Sequence, residues 1–335
     1  MLDLDIYFDS NYGKLYEEIE DGRAIVYDYD SSNGKIRHSF IKREIPFKIN
    51  DQNFYDIVTP YGYGGPLILE SDNKNQLVTE FEREFQNYCD QNNIVSEFIR
   101  FHPILANYKE FQDIYYTIYL RNTVGTSLKY DENPFNIEFS KSTRKTVRRS
   151  FKSGLSYRII EQPQDLSTFM KIYYSTMSRN NASGYYYFDE KYFEKCLKYF
   201  KQNMILVEVV YDGKVIASSI NFRSNNTVHV HLSGTLTDYI NMSPAYIIKF
   251  GTLEWAKENG MKLIHYGGGT SNNQNDSLYN FKKKFTKNTE FEFHIGKKVW
   301  NQDIYNSLCS KVNVDNDSDF FPAYRNLEYT EVGVR

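Results

Sequence analysis

Cysteine is scarce. The three in the chain, Cys89, Cys196 and Cys309, lie far apart among 335 residues. With no CxxC pair and no histidine at ligand spacing, they argue against a disulfide framework and a structural zinc site, so no metal is expected. Long apolar runs are also missing: no window approaches the roughly 18 uninterrupted apolar residues of a membrane span. The opening "MLDLDIYFDSNYGKLYEE" is acidic and lacks the basic and apolar regions of a secretory signal, so a cytoplasmic protein is expected. Neither sign of charge dominates. A net charge of −3 argues against a chain that coats nucleic acid, while leaving room for local basic patches.

What is present is a globular composition, 41% hydrophobic and 25% charged, in a length that favours two domains over one. The 30 tyrosines and 24 phenylalanines suit ring packing and equally suit stacking on sugars or bases. In the first half, Asn33-Gly34 marks a hairpin over residues 23–45. "NQLVTEFEREFQNYCDQNN" carries Leu77, Val78, Phe81, Phe85 and Tyr88 at helical spacing. Residues 141–152 hold six basic side chains and no acid, and Gly154 follows like a helix stop. The expected organisation is therefore a first domain over 1–140, a basic connector over 141–154, a second domain over 155–310 and a tail over 311–335. In the second domain two helices precede three strands with turns at Asp212-Gly213 and Asn225-Asn226. Then come a helix opened by Ser243 as N-cap and Pro244, a strand "KLIHY", a short helix and a last strand. That order predicts an α/β fold with a mixed sheet.

This order, with "STRKTVRRSFKSG", "YYSTMSR", "SPAYIIKFGTLEWAKENGMKLIHYGGG" and "DSLYNFKKKF", resembles the GNAT superfamily, and within it the FemABX-type aminoacyl transferases and their BioF2-like relatives. The resemblance implies two tandem GNAT-like domains, "TPYGYGGPLI" being similar to a segment shared in the first. It implies an N-acyltransferase that moves an aminoacyl or acyl group onto an amine of a cell-wall or cell-surface glycan precursor. No cofactor is tightly bound in this reading; the donor is aminoacyl-tRNA or acyl-CoA. The implied partners are a nucleotide- or lipid-linked glycan or muropeptide precursor, tRNA, and a membrane surface reached through a lipid-linked acceptor. The alternative is a non-catalytic glycan- or precursor-binding protein that keeps the fold.

The residues bear on these readings unevenly. GNAT proteins resemble one another in a glycine-rich loop whose N–H groups hold the CoA pyrophosphate, but the matching "TDYINMSPAY" has neither glycine nor arginine, and Pro244 lacks an N–H. Gly267-Gly268-Gly269 fits neither a dinucleotide fingerprint nor a P-loop, which leaves a strand exit or a close approach to a ligand, with Gly268 as a candidate contact. On the helix that follows, a 100° wheel puts Leu278, Phe281 and Phe285 on an apolar face, Lys282 beside it and Lys283 opposite. The Phe281-Lys282 pair resembles the phenylalanine-lysine at the Fem-type transfer site. There an ammonium would stabilise a developing oxyanion or a donor phosphate. His229 and His231 share one face of a strand, and each could take a proton from an amine or simply pack; His231 is the candidate base. Thr176 and Arg179 resemble the Thr-x-x-Arg that faces the acceptor, where arginine suits a phosphate or carboxylate. Tyr61 and Tyr63 could stack on a sugar or pack in a glycine-rich bend. Asp276 fits the N-cap of the short helix.

Overall fold

The computed structural model describes residues 4–129, 132–273, 275–316 and 318–326. In chain order they form β1 (Gly22–Ser31), β2 (Gly34–Glu44), β3 (Tyr55–Val58), β4 (Leu67–Ser71), α1 (Lys74–Gln91), β5 (Ile94–Arg100), α2 (Tyr108–Phe111), β6 (Tyr116–Ser127), α3 (Pro134–Ile137) and α4 (Lys141–Lys152). There follow β7 (Ser156–Glu161), α5 (Ser167–Arg179), α6 (Glu190–Phe200), β8 (Met204–Tyr211), β9 (Lys214–Ser224), β10 (Thr227–Thr235), α7 (Pro244–Glu258), β11 (Leu263–Gly267), α8 (Ser277–Lys283), β12 (Glu290–Val299) and α9 (Gln302–Lys311). No helix among the described residues is long and apolar enough to cross a membrane.

The chain divides into two compact units, one of residues 4–6 and 121–291, the other of 7–120 and 292–326. In the second of these, β1, β2 and β3 run antiparallel, α1 follows, and β5 returns parallel to β3 with β12 antiparallel on its far side. In the first, β8, β9 and β10 run antiparallel, α7 follows, and β11 returns parallel to β10 with β6 antiparallel on its far side. The same topology thus occurs twice, a mixed sheet each time, as a tandem GNAT-like chain requires.

The division departs from the expected domain limits. Residues from Arg121 onward supply the strand beside β11, and residues from Glu292 onward supply the strand beside β5, so each unit borrows a strand from sequence assigned to the other. The basic run is not a connector. Ser140 caps it by accepting from the Thr143 N–H, and α4 buries Thr143, Val147 and Ser150 in the same unit as α7. Its basic residues follow from that burial, because the positions left over point outward.

α7 lies over β7–β11 and is buried nearly all round, with Ile247, Ile248, Leu253 and Ala256 in one core with Val207, Val228 and Ile264. Its first turn departs from expectation. Ser243 stands at the N-cap position but in the left-handed region, φ 59°, and its side chain makes no capping bond.

Candidate functional site

Between β10 and β11 the sheet opens. These parallel strands pair at Thr227–Leu263, Val228–Ile264 and His229–His265, after which β10 continues to Thr235 and β11 to Gly267 without further pairing to each other among the described residues. On the α7 side of this parting stand Tyr266, Lys249, Phe281 and Lys282 of α8, and Phe285 just after it. Tyr246 binds the group together, its ring 5.4 Å from both Phe281 and Phe285 in edge-on contacts.

Lys282 is half-buried and donates from Nζ to the Gly268 carbonyl at 2.6 Å. Burial lowers its pKa to about 8; the Asp276 carboxylate opposes that shift and the Arg121 guanidinium adds to it. Lys249 was not singled out by sequence, because one lysine in an apolar helix reads as a snorkelling surface residue. It is only 5% exposed, and its ammonium lies 4.6 Å from the centroid of the Tyr266 ring. Burial first, and Lys282 second, push its pKa down to about 7. The Tyr266 hydroxyl is in turn 2.7 Å from the Thr126 hydroxyl, which donates to the Phe285 carbonyl.

The glycine bend is organised from within. Asp276 caps α8 by accepting from the Tyr279 N–H at 2.8 Å, and its other oxygen accepts from the N–H and hydroxyl groups of Thr270 and Ser271 at 2.8–3.1 Å. A carboxylate therefore already occupies the donors that a phosphate would need. Burial works to raise its pKa, but these bonds outweigh it and hold the carboxyl well below the usual range. Gly269 has to be glycine, since a Cβ there would lie 2.3 Å from Asp276 Oδ1. The bend's carbonyls meet cations: Arg121 donates to Gly269 and Ser271 as Lys282 donates to Gly268.

The structure gathers Lys282, Phe281 and Gly268 in one place and puts the other candidates elsewhere. Thr176 and Arg179 both donate to the Thr235 carbonyl, at 3.1 and 2.7 Å, so they fix the end of β10 beyond the parting. His231 turns toward α6, where Nε2 lies 2.5 Å from the Tyr192 hydroxyl, and burial, with His229 adding, lowers its pKa to about 3. Such a ring is neutral at pH 7 and too weak a base to hold a proton taken from an ammonium; the tyrosine beside it is a sufficient reason for a histidine there. Tyr61 and Tyr63 belong to the other unit. Tyr63 is buried edge-on to Tyr7 and Phe293, and Tyr61 is half-buried near Tyr16, its carbonyl accepting from Tyr12. The expected apolar face holds for Phe281 on α8 and for Phe285 just beyond its end, whereas Leu278 is exposed and Tyr279 takes its place against the core.

At the N-terminus of α7, where GNAT proteins hold a pyrophosphate, three of the first positions offer no backbone donor. The Ser243 N–H bonds the Ile240 carbonyl, the Tyr246 N–H bonds that of Ser243, and Pro244 has none to give.

Residues 138–283 match the model of the acetyltransferase (GNAT) domain. The UDP-N-acetylmuramoylpentapeptide-lysine N(6)-alanyltransferase of Weissella viridescens is 24% identical over 173 residues, 51% of this chain and 50% of that protein. The chain thus spans about half the length of this curated relative. The crystal structure of FemX superposes with a TM-score of 0.67 at 12% identity, covering 91% of this chain and 95% of FemX. The C-terminal domain of a lysylphosphatidylglycerol synthetase from Agrobacterium fabrum gives 0.54 at 13% identity, covering 94% of each chain. The chain thus repeats a GNAT-like topology twice, matches the GNAT acetyltransferase domain over residues 138–283, and is similar in fold to FemX over nearly its full length.

Proposed function

We propose that the protein is an N-acyltransferase that moves an aminoacyl group from aminoacyl-tRNA to an amine on a nucleotide- or lipid-linked peptidoglycan precursor. The observation that carries the reading is the Lys282 ammonium, held inward at the parting of β10 and β11 by the Gly268 carbonyl. An aminoacyl ester laid in the parting would bring its carbonyl to this ammonium. A preorganised cation there stabilises the oxyanion that develops as the amine attacks, and removal of one such donor costs on the order of 10²–10³ in rate. The name of the Weissella relative supports a muropeptide amine as acceptor. The N-terminus of α7 favours an aminoacyl ester over acyl-CoA, because the Ser243 and Tyr246 N–H groups are engaged and Pro244 has none to offer a pyrophosphate.

The test is transfer of radiolabelled amino acid from charged tRNA to a UDP-linked muropeptide, run beside acetyl-CoA with the same acceptor. Product from charged tRNA alone is expected, and Lys282→Ala is expected to lower the single-turnover rate by about 10²–10³. Product from acetyl-CoA alone would reverse the choice of donor; undiminished transfer by Lys282→Ala would remove that lysine from the chemistry.

A further inference from the structure

Amine acylation needs a proton acceptor, because an ammonium has no lone pair with which to attack. Neither histidine of β10 suits the role: His231 is held by Tyr192, and His229 Nε2 lies 2.8 Å from Asp5. Two lysines stand at the parting, and their surroundings differ in one decisive respect. Lys282 donates to the Gly268 carbonyl, so its nitrogen keeps its protons. Lys249 has no carboxylate and no hydrogen-bond acceptor among the described residues; its nitrogen meets only the face of Tyr266 and the neighbouring charge of Lys282. A buried ammonium without an acceptor beside a second ammonium sheds its proton.

The carboxylate that β7 brings to α7, Glu161, is bonded to the Trp255 indole N–H about two turns away from Lys249, and no carboxylate is bonded to Lys249 itself among the described residues. From β11 comes the Tyr266 ring, whose hydroxyl is engaged with Thr126 and which feels Glu138, and from β7 comes Tyr157. The strands beneath supply Val207, Val209 and Val228, α3 supplies Phe135, and α4 supplies Val147. From α8 comes Lys282, with Asp276 and Arg121 acting through it.

Resting on the transfer reaction just described, we infer that Nζ of Lys249 is the proton acceptor for the attacking amine. The acceptor substrate's ammonium gives one proton to neutral Lys249. The freed lone pair forms the C–N bond as the carbonyl π pair moves onto oxygen beside Lys282. The oxyanion pair then re-forms the carbonyl and the C–O bond to the ribose breaks. The leaving oxygen takes the second proton from the attacking nitrogen, and Lys249 releases its own to solvent. Lys249 is thus a catalytic residue of a type different from Lys282, one a base and the other an electrostatic clamp.

The experiment is the pH profile of single-turnover transfer from charged tRNA to the UDP-linked muropeptide by wild type, Lys249→Met, Lys249→Gln and Lys249→Arg, each checked by circular dichroism. The wild-type rate is expected to rise through an apparent midpoint near pH 7. In Lys249→Met that limb is expected to vanish and the rate to fall by about 10²–10⁴, with Lys249→Arg failing to restore it. Lys249→Gln gives the same reading if the methionine variant does not fold. Retention of the limb in either folded variant, or rescue by arginine, would overturn the assignment and make the site a cation pocket. Absence of transfer by the wild type would instead overturn the functional reading on which it rests.

Discussion

Asp276 accepts from five donors across the glycine bend and the first turn of α8, and its charged form is what they hold. A depressed carboxyl pKa stabilises the fold above the unfolded value of about 3.9 and loses that contribution as pH falls through the folded one. Asp276→Asn is therefore expected to be less stable than wild type by about 1–3 kcal/mol at neutral pH, with the gap closing below about pH 4 in urea titrations. In the proposed reaction Lys282 behaves oppositely: its role requires the protonated form, so transfer should decline as pH rises through about 8, and Lys282→Arg should move that decline upward. Of these residues Lys282 and Asp276 were legible in the sequence, one by its place beside an apolar helix stripe, the other by capping chemistry. Lys249 was not, since the partner that reveals it, Tyr266, is seventeen positions away and meets it only through the crossing of α7 over β11.

At the scale of elements, β10 has to be held after it leaves β11, and α5 does so at close range. A Cβ at Gly234 would lie 2.8 Å from the Ile172 carbonyl oxygen and 3.0 Å from the Tyr173 Cα. Gly234→Val is expected to push α5 off the strand, lowering stability by about 1–3 kcal/mol in urea unfolding, and to reduce transfer, whereas Gly184→Ala, with open space around it and no positive φ, should leave transfer intact. α7 contributes a second measurable effect. Unfolded Lys249 holds its proton up to about pH 10.4 while the folded residue has released it near 7, so the unfolded state binds more protons in between. Stability should thus rise with pH across that window, and subtraction of Lys249→Met should isolate the increment. Helices with strong amphipathic periods, such as α1, were legible to within a residue or two. Neither β7 nor α9 was foreseen, because Tyr157–Ile160 alternates over too few residues and α9 follows the strand taken as the last element of the second domain.

For the whole molecule, a chain of net charge −3 can bind tRNA only through a local concentration of positive charge. α4 offers it: Lys141, Lys145, Arg148, Arg149 and Lys152 are exposed, while Arg144 is turned back onto the Asn136 and Phe139 carbonyls. Replacing Lys141, Lys145 and Arg149 by alanine is expected to weaken tRNA binding and to flatten its log–log salt dependence by about two units, measured by fluorescence anisotropy; an unchanged slope would place the tRNA elsewhere. The tandem architecture was legible only through the family resemblance, and the unit boundaries were not legible at all. A composition shift places them near residue 140, whereas in the structure the division falls at Arg121 and Glu292, within β6 and β12.

The carboxylate in the glycine bend has a consequence for selectivity. A cell's free nucleotides compete for any unfilled nest of backbone donors, and here the chain supplies the competitor itself. With those donors engaged by Asp276, the proposed reaction places its substrate at the parted strands rather than in the bend.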